Sequence, residues 1–101
     1  MIKHVVAFRI NKELSAEDKN DAMHKMKTLL EALPPKIAEL ETVEVGINFN
    51  PTEAAFDVVL TTTHVSKEAL SVYAGHPEHL EVLAYIRSVI SDRVVVDYEV
   101  S

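Results

Sequence analysis

The first ten residues alternate, with Ile2, His4, Val6, Phe8 and Ile10 on one side and Lys3, Val5, Ala7 and Arg9 on the other. A two-residue period predicts a β-strand over 2–10. From Ser15 the period lengthens. Ala22, Met26, Leu29, Leu30 and Leu33 recur at helical spacing, the Ser15 hydroxyl can cap the first turn, and Glu17 and Asp18 suit its positive end. Pro34 and Pro35 stop this helix, and a short helical turn carrying Ile37 and Leu40 follows. "TVEVGINFN" (42–50) alternates again, setting Val43, Val45, Ile47 and Phe49 against Glu44, Gly46 and Asn48. Its polar face predicts an edge strand or a solvent-facing one. "NPTE" makes a turn, and a third strand covers about residues 55–63 around Val58, Val59 and Leu60. Ser66 can cap a short helix that holds Leu70 and Tyr73 and ends at Gly75. Pro77 opens another helix that runs to about residue 90, and "RVVVDYEV" (93–100) forms the last strand.

Strand, helix, strand, strand, helix, strand is the order of a ferredoxin-like split βαβ fold, an α+β class with a four-stranded antiparallel sheet and its helices on one face. The first, third and fourth strands are nevertheless apolar on both faces at "VVAF", "DVVL" and "VVV". No further element remains to cover the second face. A second copy of the sheet is the simplest cover, which predicts a homodimer through sheet faces that encloses a barrel-like space.

The 101 residues suffice for one domain over 1–101, and 48% apolar with 26% charged residues is ordinary globular composition. Without cysteine there is no disulfide framework, thiolate metal site or cysteine nucleophile, which fits a reducing compartment. Sixteen acidic against ten basic residues give a net charge of −6 with no basic cluster. Nucleic acid and anionic membrane surfaces are therefore excluded as partners. "MIKHVVAFRI" reads as a strand rather than a secretory leader, and no apolar run approaches membrane-spanning length, so a cytoplasmic location is expected. The only glycines, Gly46 and Gly75, make no phosphate-binding loop, and no Ser-His-Asp spacing stands out. No cofactor is expected.

The chemistry concentrates in "YAGHPEH" (73–79). His79 falls in the first turn of the helix opened by Pro77. Its imidazole can take a proton beside a carbonyl, or it can simply hydrogen-bond the preceding loop. Tyr73 can donate its hydroxyl to a developing enolate, or bury its ring and leave the hydroxyl wet. His76 precedes a proline and is held extended, as a helix-opening residue that caps or packs. His76 and His79 lack an acidic or thiol partner in a ligand pattern, so no metal site is expected. His4 is the one imidazole on an apolar strand face. If that face lines the inter-sheet space, His4 joins His79 there, which is the reading preferred here; if it meets the helices, His4 is a core residue. His24 and His64 are expected in solvent without a task. Arg87, Asp92 and Arg93 straddle the end of the last helix, where they can pair.

"MIKHVVAFRI", "YAGHPEH" and "DYEV" together resemble the stress-responsive α/β-barrel (Dabb) domain family over the whole chain. The resemblance implies a dimeric α/β barrel. Most members have no assigned reaction. In one branch, the plant olivetolic acid cyclases, the motif's final histidine is the base and the tyrosine six residues earlier assists it. That branch closes a ring by an aldol-type step in a linear polyketide thioester, without a cofactor. By resemblance these roles fall on His79 and Tyr73, and the first-strand histidine is His4. Where the branch carries a further pocket histidine on the third strand, this chain places Asp57, whose carboxylate changes the pocket's charge. Substrate contacts are thus expected from His4, Asp57 and His76. Two readings stand. One is a cofactor-free cyclase, lyase or isomerase acting on a small hydrophobic carbonyl or polyketide-like compound. The other is a non-enzymatic dimer that binds a hydrophobic small molecule or serves as a stable structural protein. A cavity beside His79 with Tyr73 pointing into it would favour the enzyme.

Overall fold

The first strand, β1 (Ile2–Ile10), sits inside the sheet rather than at its edge, and Ile2, Val6, Phe8 and Ile10 on one side of it are all buried. The computed structural model describes residues 1–101. After β1 come α1 (Ala16–Glu31), a 3-10 turn (Pro34–Lys36), β2 (Thr42–Ile47), β3 (Val58–His64), α2 (Lys67–Gly75), α3 (Pro77–Val89) and β4 (Ile90–Glu99). The strands are ordered β2-β3-β1-β4, and every neighbouring pair is antiparallel. This is the ferredoxin-like arrangement expected from the element order. No helix is long and apolar enough to cross a membrane.

Local chemistry sets the boundaries. Ser15 Oγ accepts from Asp18 N at 3.1 Å and starts α1, which buries Ala22, Met26 and Leu30 against the sheet. The helical turn after α1 begins at the prolines themselves, where a missing N–H costs nothing in a first turn. Strand β2 ends three residues early. Asn48 turns its side chain onto the backbone of Asn50 in both directions, at 2.7 and 2.9 Å, and this local bonding competes with the ladder. Phe49 is consequently left 98% exposed. Strand β3 starts later than expected and reaches His64.

The core lies between the sheet and the helices, with Phe8, Met26, Leu30, Ile37, Leu60 and Ile86 among its fully covered members. The opposite face carries no element. In register across it, Ala7 lies between Val59 and Val94, while Val5 pairs with Val96. Val59, Val94 and Val96 are 41%, 49% and 59% exposed. His4 shares the face of Val6 and Phe8, so it points toward the helices. The expectation that it lines an inter-sheet space is corrected: β1 turns its more apolar side, His4 included, to the core, and gives the second face Val5 and Ala7.

Candidate active site

A single residue makes the corner on which the site depends. His76 ends α2, donating its backbone N–H to Tyr73 O at 3.1 Å, and opens α3, its Nδ1 accepting from Glu78 N at 3.1 Å. Its φ of −67° and ψ of 135° are the extended values required before a proline. The corner folds the first turn of α3 back over the last turn of α2. His79 Nδ1 then donates to Ala74 O at 3.0 Å. The Tyr73 and His79 ring centroids come within 4.4 Å, tilted by 39°, so residues six apart in sequence become packed neighbours. His76 is thus spent on the caps and contributes nothing to the pocket wall, contrary to its expected substrate contact.

Three histidines surround Tyr73. His79 lies against it from α3, His64 from the end of β3 at 4.9 Å, and His4 from β1 at 6.3 Å in a T-shaped contact. Tyr73 is fully buried, yet its hydroxyl has no hydrogen-bond partner. A cavity of about 260 Å³ opens beside these rings, between the helix face of the sheet and α3. His4, Tyr73 and His79 supply one end, Phe8, Val82, Ile86 and Val95 the apolar wall, and Arg87 and Arg93 also reach it.

Hydrogen bonds to fixed acceptors assign the protons. Because the Ala74 carbonyl takes the Nδ1 proton of His79, a neutral ring presents Nε2 as a lone pair. Burial lowers the His79 pKa, outweighing the Ala74 carbonyl that raises it, and the charges of His4, Arg93 and Arg87 lower it further. Tyr73 moves the other way, pushed up to about 12 by burial, so it keeps its proton and remains a donor at neutral pH. His4 Nδ1 is paired with the carboxylate of Asp97, its register partner on β4. The arrangement joins a neutral base, a proton-bearing phenol and a carboxylate-oriented imidazole at one end of an apolar cavity.

Two expectations need correcting here. Asp57 is not in this cavity. It precedes β3 at the other end of the sheet, where its Oδ2 accepts from Ile10 N at 2.7 Å and its Oδ1 pairs with Lys19 Nζ at 2.9 Å. Those bonds tie β1 and α1 together and leave the carboxylate no role at Tyr73. His64, expected in solvent, is fully buried, with Nδ1 donating to Glu39 O and Nε2 accepting from Thr62 Oγ1, both at 2.9 Å. The signal was present: Val58, Leu60, Thr62 and His64 share one parity, and the burial of His64 at the strand's end was misjudged. Asp97 was missed because "DYEV" reads as a strand end, not as a partner for His4. His24 lies in solvent as expected, bonded to Asn20 O of its own helix. No group of three histidine, cysteine, aspartate or glutamate side chains is placed to hold a metal ion.

The buried histidines make a stability prediction. Burial lowers the pKa of His64 as it does that of His79. The unfolded chain therefore takes up these protons near the ordinary pKa of about 6.5, before the folded protein does. Their stability contribution is whole above that pH and is lost as pH falls toward the depressed folded values. The melting temperature should fall between pH 7.5 and 5.5, less steeply in His64→Gln; a rise over that interval would contradict the assignment.

Sheet order, helix placement and a histidine-tyrosine cavity define a ferredoxin-like α+β protein. More narrowly, the chain belongs to the stress responsive A/B barrel domain family, whose model matches residues 2–100. A dimeric protein of unknown function from Bacteroides fragilis superposes with a TM-score of 0.91 at 33% identity, covering 98% of this chain and 95% of that one. A dimeric ferredoxin-like protein of unknown function from Thermobifida fusca gives 0.83 at 26%, covering 98% and 90%. A hydroxynitrile lyase from Passiflora edulis shares the fold at 19% identity and a TM-score of 0.74, covering 99% and 93%. No curated protein matches the chain.

Proposed function

We propose that this protein is a cofactor-free acid–base catalyst acting on a small hydrophobic carbonyl compound, with His79 as base and Tyr73 as hydrogen-bond donor. The observation that carries the reading is the buried Tyr73 hydroxyl, without a partner, in a ring packed against a histidine that burial keeps neutral. A buried unpaired donor costs about 1–3 kcal/mol. A substrate carbonyl oxygen would satisfy it. With that oxygen held by the Tyr73 hydroxyl, His79 Nε2 removes a proton from the adjacent carbon, and the electron pair of the broken C–H bond moves to the oxygen. The enolate then attacks a second carbonyl of the same molecule, whose oxygen takes the proton from Nε2 as the ring closes, or the enolate takes that proton back. The imidazolium formed in between keeps its Nδ1–H on Ala74 O. These are the roles implied by the resemblance to the plant olivetolic acid cyclases.

The relatives from Bacteroides fragilis and Thermobifida fusca are described as dimeric, and the uncovered apolar sheet face supports the same assembly here. In that dimer the helix-side cavity stays separate from the space between the sheets. A cavity with an unsatisfied donor beside it favours the enzyme over a purely structural protein.

Proton abstraction can be measured without knowing the physiological substrate. Incubated with 2-octanone in deuterium oxide, the protein should speed deuterium incorporation beside the carbonyl, read by NMR. A positioned base typically supplies about 10²–10⁴-fold, so His79→Ala should lose at least the lower bound. Equal rates with the variant and the parent, both folded, would sink the role of His79.

A further inference from the structure

Arg87, in the last turn of α3, and Arg93, on β4, both line the cavity that holds Tyr73 and His79. Neither guanidinium has a partner. The chain's ion pairs are His4–Asp97, Lys19–Asp57 and Lys27–Glu31, and no side-chain hydrogen bond uses either arginine. No aspartate or glutamate lines the cavity, although acidic residues outnumber basic ones 16 to 10 in the chain. In the other basic cleft, near the β2–β3 turn, two of the three cations are engaged. There Lys19 pairs with Asp57, while Arg9 donates to the carbonyls of Glu53 and Ala55 and lies over the Phe56 ring.

Spacing places the two free cations at the far end from the polar rings. Arg93 precedes Asp97, the partner of His4, by four residues on β4, about 13 Å at strand rise. Arg87 follows His79 by eight residues on α3, about 12 Å at helical rise. Both spacings are backbone distances that set the arginines toward the other end, and between the two ends the wall is Phe8, Val82, Ile86 and Val95. A guanidinium offers a planar fork of donors that matches a carboxylate, and flexible side chains can shorten the span by several ångströms.

We infer that the cavity takes a medium-chain oxo acid, with its reacting carbonyl at Tyr73 and His79, its methylene chain along the apolar wall and its carboxylate on Arg87 and Arg93. The inference rests on the acid–base reading of this cavity and specifies the substrate class. The volume of about 260 Å³ suits one such chain, lying just below the roughly 300–1,000 Å³ of sites for larger ligands.

The probe is 7-oxooctanoate, compared with its neutral amide, 7-oxooctanamide, by calorimetric titration at low and high salt. The acid should bind about tenfold more tightly than the amide, as charge-assisted bonds at an exposed mouth allow, and added salt should erode the difference. Arg87→Gln and Arg93→Gln should each reduce the preference, and the double variant should abolish it. Both side chains are exposed, so the variants should keep the parent's melting temperature. His79→Ala should retain the preference while losing deuterium exchange, which separates this inference from the assignment of the base. Equal binding of acid and amide, no binding of either, or an intact preference in the folded double variant would each overturn it.

Discussion

Val96→Asp should turn the proposed dimer into a folded monomer, whereas Val6→Asp should leave no folded protein. The two valines sit on adjacent strands, one pairing position apart, and face opposite ways. Val6 is 2% exposed in the core under the helices, where an unpaired carboxylate costs several kcal/mol. That is a large part of the roughly 5–15 kcal/mol by which a domain is stable. Val96 is 59% exposed in the isolated chain and belongs to the uncovered patch with Val5, Ala7, Val59 and Val94. A charge there stays solvated in the monomer and becomes costly only when a second sheet covers it. Sedimentation of the parent at micromolar concentration should therefore give about twice the 11.3 kDa chain mass, and Val96→Asp the chain mass with native circular dichroism. A monodisperse parent monomer would remove the case for sheet-face association.

How much of this could be read from the sequence depends on how local each cause is. Alternation, caps and proline breaks act within a few residues, so the order of elements and the Gly75–Pro77 corner were legible. The pairing of Tyr73 with His79 followed from that corner. What escaped was decided at longer range. Which face of β1 meets the helices is a choice between two apolar sides, and periodicity cannot make it. His4 was thus assigned to the wrong space while being rightly grouped with His79. The fate of Asp57 turned on Lys19 and Ile10 N, and that of His64 on the Glu39 carbonyl, all remote in sequence. A polar residue near a strand end carries no local mark of whether such a partner waits for it.

Tyr73→Phe should make the protein more stable and less active at once. The substitution removes one oxygen and leaves the ring packed against His64 and His79. Because that oxygen is buried without a partner, its loss relieves a penalty of about 1–3 kcal/mol instead of breaking a bond. In a domain of this size each kcal/mol moves the melting temperature by roughly 4–8 °C. Tyr98→Phe, at a half-exposed position on β4, should change little and serves as the control. Activity should move oppositely, because a preorganised donor aimed at a developing oxyanion contributes about 10²–10³-fold. Deuterium exchange of 2-octanone should fall accordingly while His79 remains in place. A structural hydroxyl predicts the reverse on stability, since a satisfied one would be missed by the fold. A lower melting temperature in Tyr73→Phe would therefore place the hydroxyl in the architecture and take it out of the chemistry. A raised one with lost exchange would show that the chain tolerates a less stable core to keep a proton donor where the substrate needs it.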